Sequence, residues 1–270
     1  MLLQKIFLFA RRCWRLILIV VTILGETLYL NLSVRQKPAS QRLRYRADRQ
    51  SSACRRVVRI WNVDVRLLGE AQPDDACVIV SNHLGILDGF VVASIFPVSI
   101  SGKAELLKVP VVGWVCRSIA MIPVYRQRRL LSVDFADNVA GRLDAGVNVL
   151  VFPEGTTVAG TEIMPFKTGG FAAIENATDR IALPITLMTT EVNEEPPDNR
   201  THSWFTWSDP QQSLFSHFWN LLGVRSARLD IVVGRAVHAV GLTRKQLADK
   251  CFAEISAVSK SQVLAADTRE

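Results

Sequence analysis

The stretch Val78-Ile-Val-Ser-Asn-His-Leu-Gly-Ile-Leu-Asp88-Gly decides how the chain is read. A continuous apolar run reads as a buried strand, and here it ends in Asn82-His83 with an acid five residues on at Asp88. Histidine is scarce, with four in 270 residues, and His202, His217 and His238 have no comparable neighbourhood. A histidine just past a strand ending near Ser81 lies at the carboxyl edge of a sheet, where α/β active sites gather. A helix starting over residues 85–88 folds Asp88 back toward the imidazole. A carboxylate on Nδ1–H fixes the tautomer, leaves Nε2 as acceptor and favours the imidazolium. Since no serine or cysteine occupies an obvious nucleophile position, such a histidine deprotonates a substrate hydroxyl directly. An isolated H-x4-D spacing is common, and on its own it is more often structural than catalytic.

The surrounding chain supplies the frame. Apolar runs suited to strands recur at residues 64–69, 77–81, 98–103, 120–126, 148–152, 181–188 and 228–234, with helical stretches between them. Thr168 to Thr178 starts a helix, and Thr243 is a plausible N-cap for a charged helix over residues 243–260. The alternation predicts an α/β domain on a mixed, mainly parallel sheet flanked by helices. Residues 1–60 form a membrane-anchoring helical segment with a basic linker, and 61–270 the catalytic domain.

The first 60 residues carry thirteen Lys and Arg against Glu26 and Asp48, net +11, whereas the remaining 210 carry −4. The greasy run Leu16-Ile-Leu-Ile-Val-Val-Thr-Ile-Leu-Gly25 lies among those cations, which points the charge toward anionic lipid. Nucleic acid is disfavoured because no basic, aromatic-rich sheet motif accompanies the charge. Glu26 interrupts the apolar run, so residues 1–34 read as a membrane-inserted helix that either spans imperfectly or lies in one leaflet. Cys13, Cys54, Cys77, Cys116 and Cys251 show neither zinc spacing nor a disulfide framework, which suits a reducing compartment.

Three further features join His83. Val149-Leu-Val-Phe-Pro-Glu-Gly-Thr-Thr157 is a strand emptying into a turn that aims Glu154 and two hydroxyls toward the same cleft. Ile122-Pro-Val-Tyr-Arg126 ends a strand on a cation suited to phosphate. Pro165-Phe-Lys-Thr-Gly-Gly170 sets Lys167 before a helix start, an anion-binding arrangement. Each has a plain alternative: a capped turn, a solvated arginine, a glycine loop.

Asn82-His83-x4-Asp88, Ile122-Pro-Val-Tyr-Arg126, Phe152-Pro-Glu-Gly-Thr156 and Leu183-Pro-Ile185 occur in the order of the four motifs of the glycerolipid acyltransferase family. The resemblance covers roughly residues 60–240, including Lys103-Ala-Glu-Leu106, Gly113-Trp114 and Phe166-Lys167. It implies a glycerol-phosphate acyltransferase-like fold and transfer of an acyl chain from acyl-CoA or acyl-carrier protein to a lysolipid hydroxyl. The leading product is phosphatidate. By resemblance His83 is the general base, Asp88 its orienting partner and Arg126 a ligand of the acceptor phosphate. Glu154 and Gly155 shape the acceptor site, Pro184 walls the cleft, and Asn82, Lys103, Thr156, Thr157 and Lys167 complete the substrate-binding set. No metal, cofactor or covalent enzyme intermediate is implied. The membrane lipids are partners, at the cytoplasmic face of the inner membrane.

The chain departs from the family pattern at Thr157, where an arginine often serves the acceptor phosphate, and at Ala120, where glycine is usual. A hydroxyl supplies no charge-assisted bond, so Thr157 favours an alternative acceptor without phosphate, lyso-ornithine lipid. A non-catalytic membrane-surface protein is the reading from a different class.

Overall fold

The structure, a computed structural model, describes residues 2–125, 132–157, 163–207 and 211–267, and leaves the side chains of residues 132, 133, 199 and 261–267 undescribed. Two long helices, α1 (Leu2–Ser33) and α2 (Arg42–Trp61), precede the sheet. The strands are β1 (Val63–Gly69), β2 (Val78–Ser81), β3 (Val98–Lys103), β4 (Ile122–Val124), β5 (Asn148–Val151), β6 (Ile181–Val192), β7 (Ala227–Val233) and β8 (Val237–His238). Between them lie α3 (Leu87–Ile95), α4 (Val112–Ser118), α5 (Ser132–Asp144), α6 (Asn199–His202) and α7 (Leu214–Gly223), with α8 (Arg244–Asp267) at the end.

The sheet order is β1-β7-β6-β2-β5-β3-β4, with β8 also on β6. The β6–β7 and β6–β8 pairs are antiparallel, and every other pair among the described strands is parallel. The sheet is therefore mixed and mainly parallel, as the alternating pattern predicts. Strand β2 sits between β5 and β6 and is buried at all four positions. Its side chains alternate: Ile79 packs with α2, α3 and α7, while Val78 and Val80 pack with α5, Phe171, Ile174 and α8. Both faces being covered explains why the strand is apolar throughout.

Pro184 occupies β6 at no cost to the ladder. Strand β8 pairs Ile181 and Ala182, and β7 begins at Ile185, so Pro184 falls where the outer edge passes from one partner to the other. Its carbonyl accepts from Gly234 N–H at 2.9 Å on that same side. Strand β6 runs on to Val192, beyond the expected end at Met188, because β7 continues to pair with it across a register shift at Thr189 and Glu191.

The segment 168–174 is a 3-10 helix, in place of the α-helix expected from Thr168. Gly169 and Gly170 lower helix propensity, and the tighter turn tolerates a short run. Thr243 does cap α8: its hydroxyl accepts from Gln246 N–H at 3.3 Å, and Gln246 Oε1 accepts from Thr243 N–H at 2.9 Å, a reciprocal box.

Helix α1 is apolar on both faces. Ile19, Thr27 and Leu30 are buried on one side, and the boundary expected near residue 60 falls in the last turn of α2, where Val57, Val58 and Trp61 join Ile19 and the sheet in one core. Arg15 donates to the carbonyls of Leu222, Val224 and Arg225. Glu26, which breaks the apolar run, pairs with Arg49 and Arg56 of α2. Asn31 donates to Ser118 Oγ of α4 at 2.7 Å. The opposite face presents Trp14, Ile17, Val21, Leu28 and Leu32 uncovered. The helix is long and apolar enough to cross a membrane, and 22% of its most apolar window is buried in the protein.

Candidate active site

Past Ser81 the chain leaves the sheet, and α3 begins at Leu87, so residues 82–86 cross the carboxyl edge of the central strand. The amides ahead of a helix need acceptors. Asp88, in the first turn, supplies one: its Oδ2 accepts from Leu84 N–H at 2.6 Å and Gly85 N–H at 2.9 Å. The same oxygen lies 2.8 Å from His83 Nδ1. An ionised carboxylate only accepts, so Nδ1 carries the hydrogen and Nε2 is the basic nitrogen. Asp88 is buried, while the His83 side chain keeps 23% of its surface exposed. The imidazole stacks on Phe152, at 4.2 Å between centroids and 22° between planes. A fixed tautomer, a held ring plane and one open nitrogen make an arrangement that takes up a proton from a hydroxyl.

Glu154 fastens this loop from the next strand over. Its Oε1 accepts from His83 N–H at 2.8 Å and its Oε2 from Met164 N–H at 2.9 Å. Burial pushes its carboxyl above the usual range, although both amide bonds and His83 pull the other way. Gly155 follows at φ +68°, and a Cβ there would meet Lys167 Nζ at 2.5 Å. The lysine thus lies across the Glu154–Gly155 turn, held by its own N–H on Pro153 O at 2.9 Å. It caps a 3-10 helix in place of the α-helical N-terminus expected beside it.

Several expected residues serve other ends. Asn82 is buried, with Nδ2 donating to Leu187 O at 3.1 Å and Oδ1 accepting from Leu187 N–H at 2.7 Å. It extends the β2–β6 ladder by one side-chain rung. Glu154 likewise spends both oxygens on backbone amides. Thr157 donates its hydroxyl to Trp207 O. Thr156 and Lys103 are exposed, and Lys103 ends β3, two strands from β2, roughly 10 Å away by sheet spacing. Arg126 lies outside the described residues.

A strap over residues 205–207 closes the far side of the loop. Trp207 N–H donates to Leu84 O at 2.8 Å, and a Cβ on Gly85 would meet Phe205 O at 2.4 Å and His217 Nε2 at 2.9 Å. His217, on α7, is fully buried and stacks on Trp207 at 6.1 Å and 16°. The aromatic clusters around residues 204–207 and 214–219 were visible in the sequence, but nothing in their spacing points to this contact. Cys77, just ahead of β2, is buried, and burial pushes its thiol up to about 12, which makes it a poor nucleophile.

Comparison with known proteins adds the relationship. The family model named Acyltransferase matches residues 62–188. A lyso-ornithine lipid O-acyltransferase of Brucella abortus is 26% identical over 221 residues, 79% of this chain and 82% of that protein. A 1-acyl-sn-glycerol-3-phosphate acyltransferase of Pseudomonas aeruginosa is 36% identical over 124 residues, 45% of this chain and 48% of that protein. The crystal structure of the 1-acyl-sn-glycerophosphate acyltransferase of Thermotoga maritima matches with a TM-score of 0.71 at 16% identity, covering 96% of this chain and 97% of that one, and shares its fold.

Proposed function

Because residues 62–188 are a domain of the acyltransferase family, we propose that the chain transfers a fatty acyl group from an acyl-CoA or acyl-carrier-protein thioester to the free hydroxyl of a lysolipid. The observation that carries this reading is the 2.8 Å contact of His83 Nδ1 with a buried Asp88 at the carboxyl end of the central strand. His83 Nε2 takes the acceptor's hydroxyl proton as the oxygen attacks the thioester carbonyl. Asp88 stays ionised and stabilises the imidazolium. Collapse of the tetrahedral intermediate breaks the C–S bond, and the leaving thiolate recovers the proton from Nε2. The enzyme forms no bond to the acyl group.

The leading acceptor is lysophosphatidate, giving phosphatidate, with Lys167 supplying charge beside the Glu154–Gly155 turn. Thr157 favours the second reading, lyso-ornithine lipid, since its hydroxyl is already committed to Trp207 O and adds nothing to a phosphate pocket. The lyso-ornithine lipid O-acyltransferase match, which spans most of both chains, supports it as well.

The substrates lie in a bilayer, and the uncovered apolar face of α1 gives the enzyme its membrane contact. The ties of α1 to α2, α4 and the 222–225 carbonyls favour a helix lying along the membrane surface over one that leaves the domain to span it. The basic segment adds attraction to anionic headgroups on the cytoplasmic side.

The deciding experiment is transfer from a radiolabelled acyl thioester in detergent, with both lysolipids offered side by side. His83→Ala is expected to lose roughly 10²–10⁴ in rate with its circular dichroism unchanged. Transfer at the wild-type rate in that variant refutes the general-base role. The acceptor that is labelled chooses between the two substrate readings, and transfer to neither favours a membrane-surface binding protein.

A further inference from the structure

His217 is a poor choice for a packing residue. It is 0% exposed, and neither ring nitrogen has a hydrogen-bond partner among the described residues. Buried polar atoms are normally paired, and an aliphatic side chain would fill the space without that penalty. Burial pushes its pKa down, with the Asp88 charge pulling the other way.

Its neighbours give the position meaning. The peptide joining Leu84 to Gly85 donates through Gly85 N–H to Asp88 Oδ2 and accepts through Leu84 O from Trp207 N–H. His217 sits against the Gly85 end of that peptide and stacks on the side chain of Trp207, whose backbone N–H holds the other end. Its Nε2 and Cε1 lie 2.9 and 3.4 Å from where a Gly85 Cβ would stand, and its ring stacks on Trp207. Phe205 O closes on Gly85 from the same side.

We propose that His217 is a positioning residue for acyl transfer: its flat ring, wedged between Gly85 and Trp207, holds the Leu84–Gly85 peptide in the plane that donates to Asp88. Asp88 Oδ2 then keeps its line to His83 Nδ1. The inference rests on His83–Asp88 being the working pair. Helix α7 is suited to the task because its other face is fixed independently. Trp219 meets Phe9 of α1 at 6.0 Å edge-on and lies under the Arg12 guanidinium at 5.6 Å.

The test compares His217→Ala, which removes the ring, with His217→Phe, which keeps one. Ile255→Ala, in the core beneath α8 and away from this loop, controls for lost stability. Rates are scaled to folded enzyme. His217→Ala is expected to lower kcat about tenfold or more at unchanged KM, as a small misalignment of the base does. His217→Phe should recover most of that rate, and Ile255→Ala should keep it.

A second readout needs no turnover: the His83 Nδ1 proton, observed by NMR with labelled histidine in a chain that has four. It should be protected in the wild type and His217→Phe, and exchange-broadened in His217→Ala. Wild-type kcat together with an unchanged Nδ1 signal in His217→Ala overturns the proposal. If His83→Ala still transfers acyl groups, the base reading fails instead, and the proton signal alone decides whether His217 holds the pair.

Discussion

Replacing Glu154 by glutamine separates stability from activity in this site. The carboxylate accepts two backbone amides, one of which belongs to His83 itself. A glutamine has one carbonyl oxygen, so either His83 N–H or Met164 N–H would face an NH2 group. A lost bond to a charged acceptor costs about 1.5–3 kcal/mol. Against this, Glu154 is 3% exposed, and the direction of its pKa shows that burial of the charge outweighs the bonds that favour it. The two terms oppose each other, so the net change in unfolding free energy should stay within about 1 kcal/mol.

The pH dependence carries a definite sign. A raised folded pKa means that the native state binds the proton more tightly than the unfolded chain. Wild-type stability from this group is therefore full below the ordinary carboxylate range and is lost as pH rises through the raised value. Glutamine lacks that step, so Glu154→Gln should gain relative to wild type between acid and neutral pH in urea titrations. Catalysis should move the other way, with kcat down about tenfold to a hundredfold, because losing either bond loosens the tie between the Glu154 turn and His83. A variant that keeps full kcat, or one that loses several kcal/mol at neutral pH, refutes this account.

Asp88→Asn should fold, since an amide oxygen in the place of Oδ2 still accepts from Leu84, Gly85 and His83 Nδ1–H, yet lose on the order of 10³ in kcat because a neutral amide no longer stabilises the imidazolium; steady-state kinetics and circular dichroism check both halves. Gly85→Ala puts a methyl 2.4 Å from Phe205 O and 2.9 Å from His217 Nε2, and should lower stability by about 1–3 kcal/mol, read from the urea midpoint. Glu26→Ala leaves Arg49 and Arg56 without their shared partner at a partly exposed site, costing about 1 kcal/mol. That variant should expose α1 to limited proteolysis sooner while keeping its rate in detergent.

What the sequence disclosed follows from how far apart the interacting residues stand. His83 and Asp88 are five apart, and the turn and helix start that follow an apolar strand bring the two together by local geometry alone. The sheet's character is equally local, because runs such as residues 148–152 are apolar on both faces. The clasp of Glu154 on His83 spans 71 positions, and the Asn82–Leu187 pair spans 105. Neither leaves a periodicity behind, so the backbone bonds of Asn82 and Glu154 could not be read from the sequence. Thr157 was legible as a departure from the family pattern, but its partner is a main-chain carbonyl that no residue type announces. The 3-10 helix at 168–174 shows the opposite failing: the helical tendency is visible, while the two glycines that tighten it act through backbone freedom.

The pairing of β1 with β7 sets an order of events during synthesis. Val63 lies beside Ala227, and Arg66 forms a two-point bond with Asp230 across 164 positions. Helix α1 waits longer still, since Arg15 meets carbonyls 207 to 210 residues downstream. Helix α1 is thus made long before these partners, and although α2 covers part of it early, parts of its apolar faces stay bare until they exist. An early encounter with the bilayer would cover one of those faces before the partner strands exist, so the membrane can act as a folding template as well as the place of work. By the same reasoning, removing β7 would not trim an edge but would leave the first strand without its partner.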